Sequence, residues 1–446
     1  MKRSVKTLTL AMAAVLGAAG LSGNALAEDT SGVVTWKSEY YTAVGAEANI
    51  VDGGYSDQGN TLEIKCRDIR SDLYLTLPEF EEYDAGDKVH LSFRLNPNGM
   101  VGSYTSFELC TWGGVRIDYA YEYNVWNWVN YDATILEVEG KNTVLLSFNK
   151  ALREKVSISE FIVDENLFET EGMFGGVDVY QYEGSPQTQM LGFVFVTKDG
   201  KIVVYDGGYI GDGANLIKLI HQHGRVVNGW FISHYHNDHV TGLKEILENS
   251  DIVIENLYHD FPDDKAHYDQ YGDGDNWLIT AIPDLAAQYP GKVQNVVRTK
   301  QKDVFQFDEL TVKVLNDADN KTTVNYGNNT TVVYKVETPV ESILLLGDLG
   351  ESGDKFIQDP YFLSEMRTCR VVSMAHHGQN GTSRAFYNCI DDIKVALYSA
   401  PLWLYDNDQG GGINSGPWKT LQTRGWMRDA GVRISLCTAD GRIHFN

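Results

Sequence analysis

The chain has 446 residues, 43% hydrophobic and 11% aromatic, which is enough for two folded domains and too apolar for disorder. Its 61 acidic residues outnumber its 37 lysines and arginines, leaving a net charge of −24. That field repels polyanions and argues against long nucleic acid as a partner.

Lys2, Arg3 and Lys6 precede the apolar stretch "LTLAMAAVLGAAGL" and the small-residue triplet "ALA" at 25–27. This is the pattern of a signal peptide over residues 1–27, with export to the periplasm or the cell exterior. Gly20, Gly23 and Asn24 interrupt the apolar run, and no later run is long enough to cross a bilayer, so no transmembrane segment is expected after cleavage. Five cysteines follow, at 66, 110, 369, 389 and 437. Export permits disulfides, with Cys66–Cys110 one pairing, and the odd count leaves a thiol over.

Residues 28–165 read as short strands. "TLEIKC", "KVHLSFRL", "NTVLLSFN" and "VSISEFIV" alternate apolar and polar residues, and Gly, Asp and Asn punctuate them. The pattern predicts an all-β sandwich, jelly-roll-like. The region resembles the β-sandwich modules, many of them carbohydrate-binding, that are appended to secreted bacterial enzymes. Trp126 and Trp128 share one face of an extended segment and are candidates for stacking on a glycan; filling the sandwich core is the alternative. Residues 166–177, acidic and without period, read as a linker.

From 178 to 446 strands alternate with helices. "MLGFVFVT" and "KIVVYDGG" are buried-type strands, and "ANLIKLIHQHG" is an amphipathic helix closed by Gly224. "VNGWFIS" is a strand, and "HVTGLKEILEN" is a helix with Val240, Leu243, Ile246 and Leu247 on one face. Between these last two lies "HYHNDH", residues 234–239. His234 and His236, one residue apart on an extended chain, point to the same side and can meet one cation. Asp238 and His239, at the start of the helix, turn toward a neighbouring point. Imidazole and carboxylate together suit zinc, manganese or iron. Two more candidates stand at strand ends: Asp348 in "SILLLGDLG" and the pair His376/His377 in "VVSMAHHG".

These residues, with Asp206 in "VVYDGG", resemble the metallo-β-lactamase superfamily over residues 178–446. The resemblance implies an α/β four-layer αββα sandwich with one or two divalent ions, zinc or manganese, at one edge. It implies that His234 and His236 hold a first metal and that Asp238 and His239 hold a second. Asp348 would bridge them, and one of His376 and His377 would close the second site. Asp206 would steady the histidine loop. Most members carry a further histidine about twenty residues before the bridging aspartate; here that place holds Asn328 and Asn329. The pattern is most similar to the hydrolase domain of bacterial DNA-uptake channel proteins and its secreted relatives. That likeness would place Thr382 and Ser383 beside the metals as substrate contacts, with Asp238 and Asp348 as the catalytic carboxylates.

The reaction class so implied is hydrolysis by a metal-activated water, with a phosphodiester or phosphoester first among substrates, small or cell-wall-linked. A carboxylic-ester, lactone or lactam hydrolase on the same centre is the alternative. From another class, so is a non-catalytic surface-binding protein with a vestigial metal site. "GDGDN" (272–276) and "DNDQGGG" (406–412) read as solvated loops, with "YDNDQGGGINSGPW" a candidate flap over the site. His259 reads as an ordinary polar contact, and "RISLCTADGRIHFN" as two strands paired with each other.

Overall fold

A computed structural model of the protein describes residues 33–53, 59–99, 103–105, 107–114, 116–164 and 170–446. The expected signal peptide, 1–27, lies outside them, and no helix among the described residues is long and apolar enough to cross a membrane.

Period-2 alternation builds the N-terminal region as expected. Two antiparallel sheets form. One runs in the order 46–51, 61–66, 155–164, 88–97, 127–134, and the other in the order 41–44, 70–75, 141–149, 108–110, 116–118, with 136–138 added against 141–149. Leu62, Ile64, Phe93, Leu95 and Ile158 from the first sheet share one core with Leu73, Leu75, Leu109, Leu146 and Phe148 from the second. The extended segment expected at Trp126 and Trp128 is the strand Asn127–Thr134, which includes Trp128. The five cysteines are unpaired thiols. Burial raises Cys66 to about 11 and Cys369 and Cys437 to about 12.

In the C-terminal part the alternation is two-sided. Along Phe193–Val196 and Ile202–Tyr205, Phe193, Phe195, Val203 and Tyr205 enter one apolar cluster, while Val194, Val196, Ile202 and Val204 enter another. A strand buried on both faces is a near-continuous apolar run, as these are. The first cluster lies between two seven-stranded sheets. Sheet A has the order 293–298, 253–259, 226–231, 202–205, 193–196, 178–181, 443–445, and sheet B the order 304–307, 310–314, 334–337, 342–345, 371–373, 395–398, 434–437. The second cluster packs helices Gly213–His223, Asn237–Asn249 and Leu278–Gln288 on the outer side of sheet A. A third packs Phe362, Met366 and Met427 against sheet B. Parallel pairing of 202–205, 226–231 and 253–259, and of 342–345, 371–373 and 395–398, sends both sets of carboxyl ends to loops that carry Asp206, the histidine run, Asp348 and the His376/His377 pair. In α/β sheets ligand sites form beyond such carboxyl ends.

Two expectations need correction. The last two strands do not pair with each other: Ile434–Cys437 joins Val395–Tyr398 in sheet B, whereas Ile443–Phe445 joins Asp178–Gln181 in sheet A. The turn Thr438–Asp440 carries the chain between sheets, which local alternation does not reveal. The end of the expected linker is also core: Met173, Phe174 and Val177 are buried between the sheets.

Val33–Asn446 packs as one unit. A buried charge network joins its two regions. Asp118 takes Arg424 at 2.5 Å and Arg428 at 3.3 Å, and the Tyr119 hydroxyl donates to Asp406 at 2.5 Å. Arg424 also lies 3.9 Å over the Tyr405 ring. Burial works against the Asp118 charge, but Arg424 and Arg428 outweigh it and hold the carboxyl below its ordinary range. Removing one partner of such a pair strands the other. Arg424→Ala should therefore lower unfolding stability by about 3–5 kcal/mol in urea titrations, and Arg424→Ala with Asp118→Asn should recover part of it. A loss below about 1 kcal/mol would place the pair among weak surface contacts.

Candidate metal centre

The centre begins at Asp206, which ends the strand Ile202–Tyr205 in the left-handed region, at φ 53. Its carboxylate is fully buried. One oxygen accepts from the Ser233 amide at 2.8 Å, and the other from the Ser233 hydroxyl and from His239 Nδ1, both at 2.8 Å. Ser233 Oγ in turn lies 3.0 Å from His234 Nδ1 and accepts from it. One acid thus fixes the start of the histidine run and, through Ser233, two of its rings.

The helix Asn237–Asn249 starts at His236, with Asp238 in its first turn, where a helix N-terminus favours a negative charge. His377 donates Nδ1–H to the Ser399 carbonyl at 2.7 Å. His236 Nε2 lies 2.8 Å from Asp273 Oδ2. Each of these four imidazoles therefore has one nitrogen committed to a protein acceptor and the other left for the centre, the arrangement that orients metal-ligating histidines.

The remaining atoms converge. Potential ligand atoms of Asp238, His239, Asp348 and His377 lie within 4.8 Å of one another, and so do those of His234, His236 and Asp348. Asp348 belongs to both groups. His239 Nε2 is 3.1 Å from Asp348 Oδ1, and His377 Nε2 is 3.2 Å from Asp238 Oδ2 and 3.6 Å from Asp348 Oδ1. The geometry thus selects His377 from the pair for the larger group. His376 stands 3.6 Å from Asp348 Oδ2 and takes Asn328 Nδ2 at 3.4 Å. Both histidines have left-handed backbones, at φ 51 and 57, strain of the kind that collects at functional sites. Gly347, at φ 49, turns the chain into Asp348; a Cβ there would stand 2.8 Å from Ser233 Cβ and from Thr331 Cγ2.

These donors fit a divalent cation. His234 Nε2, His239 Nε2, His377 Nε2 and Asp348 Oδ1 are buried without a hydrogen-bond partner among the described residues. With Nδ1–H of His239 spent on Asp206, its Nε2 lone pair faces a carboxylate oxygen, and a positive charge must stand between them. Burial alone would lower His239, but Asp348, Asp206 and Asp238 raise it well above the histidine range. Burial alone would raise Asp348, but His239, His377 and His376 hold it well below the carboxylate range. A cation supplies the same charge while leaving the imidazoles neutral, the form in which they ligate.

The centre opens into a cavity of about 610 Å³, lined by Gln187, Gln189, Tyr209, Asp273, Asp275 and Trp403, among others. Among the described residues its lining carries no lysine or arginine. Gln189 donates to Asp238 Oδ2 at 2.8 Å. Asn328 lines the cavity, and its Oδ1 has no partner among the described residues. Asn329 turns away, donating to the Val324 carbonyl at 2.7 Å.

Other candidates lie elsewhere. Ser383 caps the helix Arg384–Tyr387 by accepting from the Phe386 amide, Thr382 is buried, and neither lines the cavity. Trp126 and Trp128 belong to the N-terminal region, and the Arg94 guanidinium lies 4.4 Å over the Trp128 ring. His259 accepts from the Phe261 amide, and burial lowers it to about 4.

The "GDGDN" loop is solvent-facing at Asp273 and Gly274, as expected, but it is also tied to the histidine run. Asp273 and Asp275 contact His236 and the Asn237 amide, and Asn276 takes the Tyr235 hydroxyl. Acids at alternate positions near "HYHNDH" were the available signal. The expected flap is closed on itself: Asp408 accepts from the amides of Gly410 and Gly412, and the Trp403 and Trp418 rings pack at 4.8 Å.

Residues 193–400 match the family model of the metallo-beta-lactamase superfamily. An uncharacterized protein, YcaI of Escherichia coli (strain K12), is 26% identical over 210 residues, which are 46% of this chain and 23% of that protein. The chain thus spans under a quarter of that relative's length. Similar solved structures include unliganded yeast PDE1, with 13% identity, 60% of this chain and 99% of that one covered, and a TM-score of 0.39. Another is YhfI from Bacillus subtilis, with 8% identity, 60% and 99% covered, and a TM-score of 0.37.

Asp206→Asn removes the charge that orients His239 while keeping the shape. It should weaken zinc binding about 10–100-fold in chelator competition; unchanged affinity would show that His239 needs no such anchor.

Proposed function

With residues 193–400 a metallo-β-lactamase superfamily domain, we propose that the chain is a metal-dependent hydrolase of a phosphodiester or phosphoester in a small or cell-wall-linked molecule, acting outside the cytoplasm. The observation that carries this reading is the sharing of Asp348 between two donor groups that are buried but for His236. His234, His236 and Asp348 would hold one cation, and Asp238, His239, Asp348 and His377 the other, with zinc or manganese suited to such donors. When bound, such a pair lowers the pKa of a water toward about 7 and takes up charge on the departing oxygen.

The chain's own residues supply the rest. Asp348 sets the separation of the two groups. Asp238 is buried, yet His239 and His377 hold it below the carboxylate range, so it stays ionised and orients a water instead of taking its proton. The side-chain amides of Asn328 and Gln189, which give one N–H to His376 and to Asp238, each have a second N–H to donate to a phosphoryl oxygen in the cavity. A lining with Asp273 and Asp275 and no basic side chain disfavours a polyanion and suits a short or zwitterionic phosphoester. Export rests on the charged and apolar N-terminal pattern. A glycan contact through Trp126 and Trp128 would use the Trp128 face opposite Arg94.

Metal-stripped protein reloaded with Mn²⁺ or Zn²⁺ should hydrolyse bis(p-nitrophenyl) phosphate, and His377→Ala should cut kcat/KM by about 100-fold or more while keeping its circular dichroism. Turnover of esters or lactams with none of the phosphodiester would reassign the substrate. Tight metal binding with no turnover of any would make the centre structural.

A further inference from the structure

The two donor groups contain four imidazoles, and three are anchored from within the buried framework. His234 is held through Ser233, His239 by Asp206, and His377 by the Ser399 carbonyl, and the side chains of all three histidines are 0% exposed. His236 differs. Its side chain is 16% exposed, and its anchor, Asp273, is 41% exposed and lies on the loop 272–276, outside both sheets. His236 also belongs to the smaller donor group, which has three members where the other has four.

That loop is built around the histidine run. Asp273 accepts from the Asp275 amide at 3.0 Å, and its own amide donates to Asn276 Oδ1 at 3.1 Å. Asn276 Oδ1 also takes the Tyr235 hydroxyl at 3.1 Å, and Asp275 takes the Asn237 amide at 2.9 Å. Three consecutive residues, Tyr235, His236 and Asn237, are thereby gripped from one side. From another side Gly327 closes on the same ring. A Cβ at Gly327 would stand 1.9 Å from His236 Nε2 and 2.4 Å from Asp273 Oδ2, so no larger residue fits while the His236–Asp273 contact is kept.

We propose that Asp273 is the positioning residue of the smaller cation site: by accepting Nε2–H of His236 it fixes the ring's tautomer and turns Nδ1 toward His234 and Asp348. The loop 272–276 thus sets the affinity of that site separately from the larger one, and so decides whether the chain holds one divalent ion or two. This rests on the metal-centre reading above.

The test uses the full chain, metal-stripped and dialysed against buffered Zn²⁺ or Mn²⁺, with bound metal counted by elemental analysis and affinities taken from titration calorimetry. Wild type should bind two ions. Asp273→Ala should lose one, with the weaker site's Kd raised about 10–100-fold and the tighter site unchanged. Asp273→Asn, which keeps an acceptor without the charge, should fall between. Long-range ¹H–¹⁵N spectra of the stripped protein should show His236 protonated on Nε2 in wild type and a mixture of tautomers in Asp273→Ala, a readout that general loosening would not confine to one ring. Gly327→Ala should reproduce the loss of the weaker site. Two ions bound by Asp273→Ala with unchanged affinities would overturn this proposal alone. No tight binding by wild type would overturn the metal-centre reading and this proposal with it.

Discussion

Everything at the centre depends on bringing the carboxyl ends of two sheets against each other so that Asp348, from sheet B, lies among imidazoles delivered by sheet A. His239 Nε2 at 3.1 Å and His234 Nε2 at 4.0 Å reach the two oxygens of that one carboxylate. The apolar cluster between the sheets, with Phe195, Val203 and Phe231 facing Val312, Tyr334 and Leu345, holds the two sets of strand ends in register. Burying several charged and polar groups together is costly unless they satisfy one another. Here each carboxylate has imidazole or amide partners, and the ligating residues with a buried unpartnered atom, His234, His239, His377 and Asp348, fall into the two donor groups.

Much of this was legible in local sequence. Spacing in "HYHNDH" puts two rings on one side of an extended chain and an acid in the first helical turn, and the structure places them so. Asp206 and Asp348 were readable as acids that follow buried strands. What escaped depends on distance along the chain. Asp273 lies 37 residues from the ring it holds, and Ser399 contributes only a main-chain carbonyl, which any residue has. His376 and His377 were indistinguishable as neighbours; two successive left-handed residues turn one toward Asn328 and the other toward Asp238. Ser383 shows the converse, a hydroxyl near a histidine motif whose work is to cap a short helix.

The N-terminal region bears on the cavity through its docking. Tyr119 and Asp118 grip Asp406 and Arg424, and Asp406 follows the short helix Leu402–Tyr405 that presents Trp403 to the cavity. The β-rich region is therefore tied to one wall of the site through a charged network with few solvent-exposed members. Its strand alternation was readable, while this docking, made by residues about 300 positions apart, was not.

A pair of cation sites would share one carboxylate, that of Asp348. Crystals grown with Zn²⁺ and measured on both sides of the zinc absorption edge test it most directly. Two anomalous peaks should flank Asp348, one beside His234 and His236 and the other beside Asp238, His239 and His377. Peaks that leave Asp348 uncoordinated, or none in this cluster while zinc binds elsewhere, would contradict it.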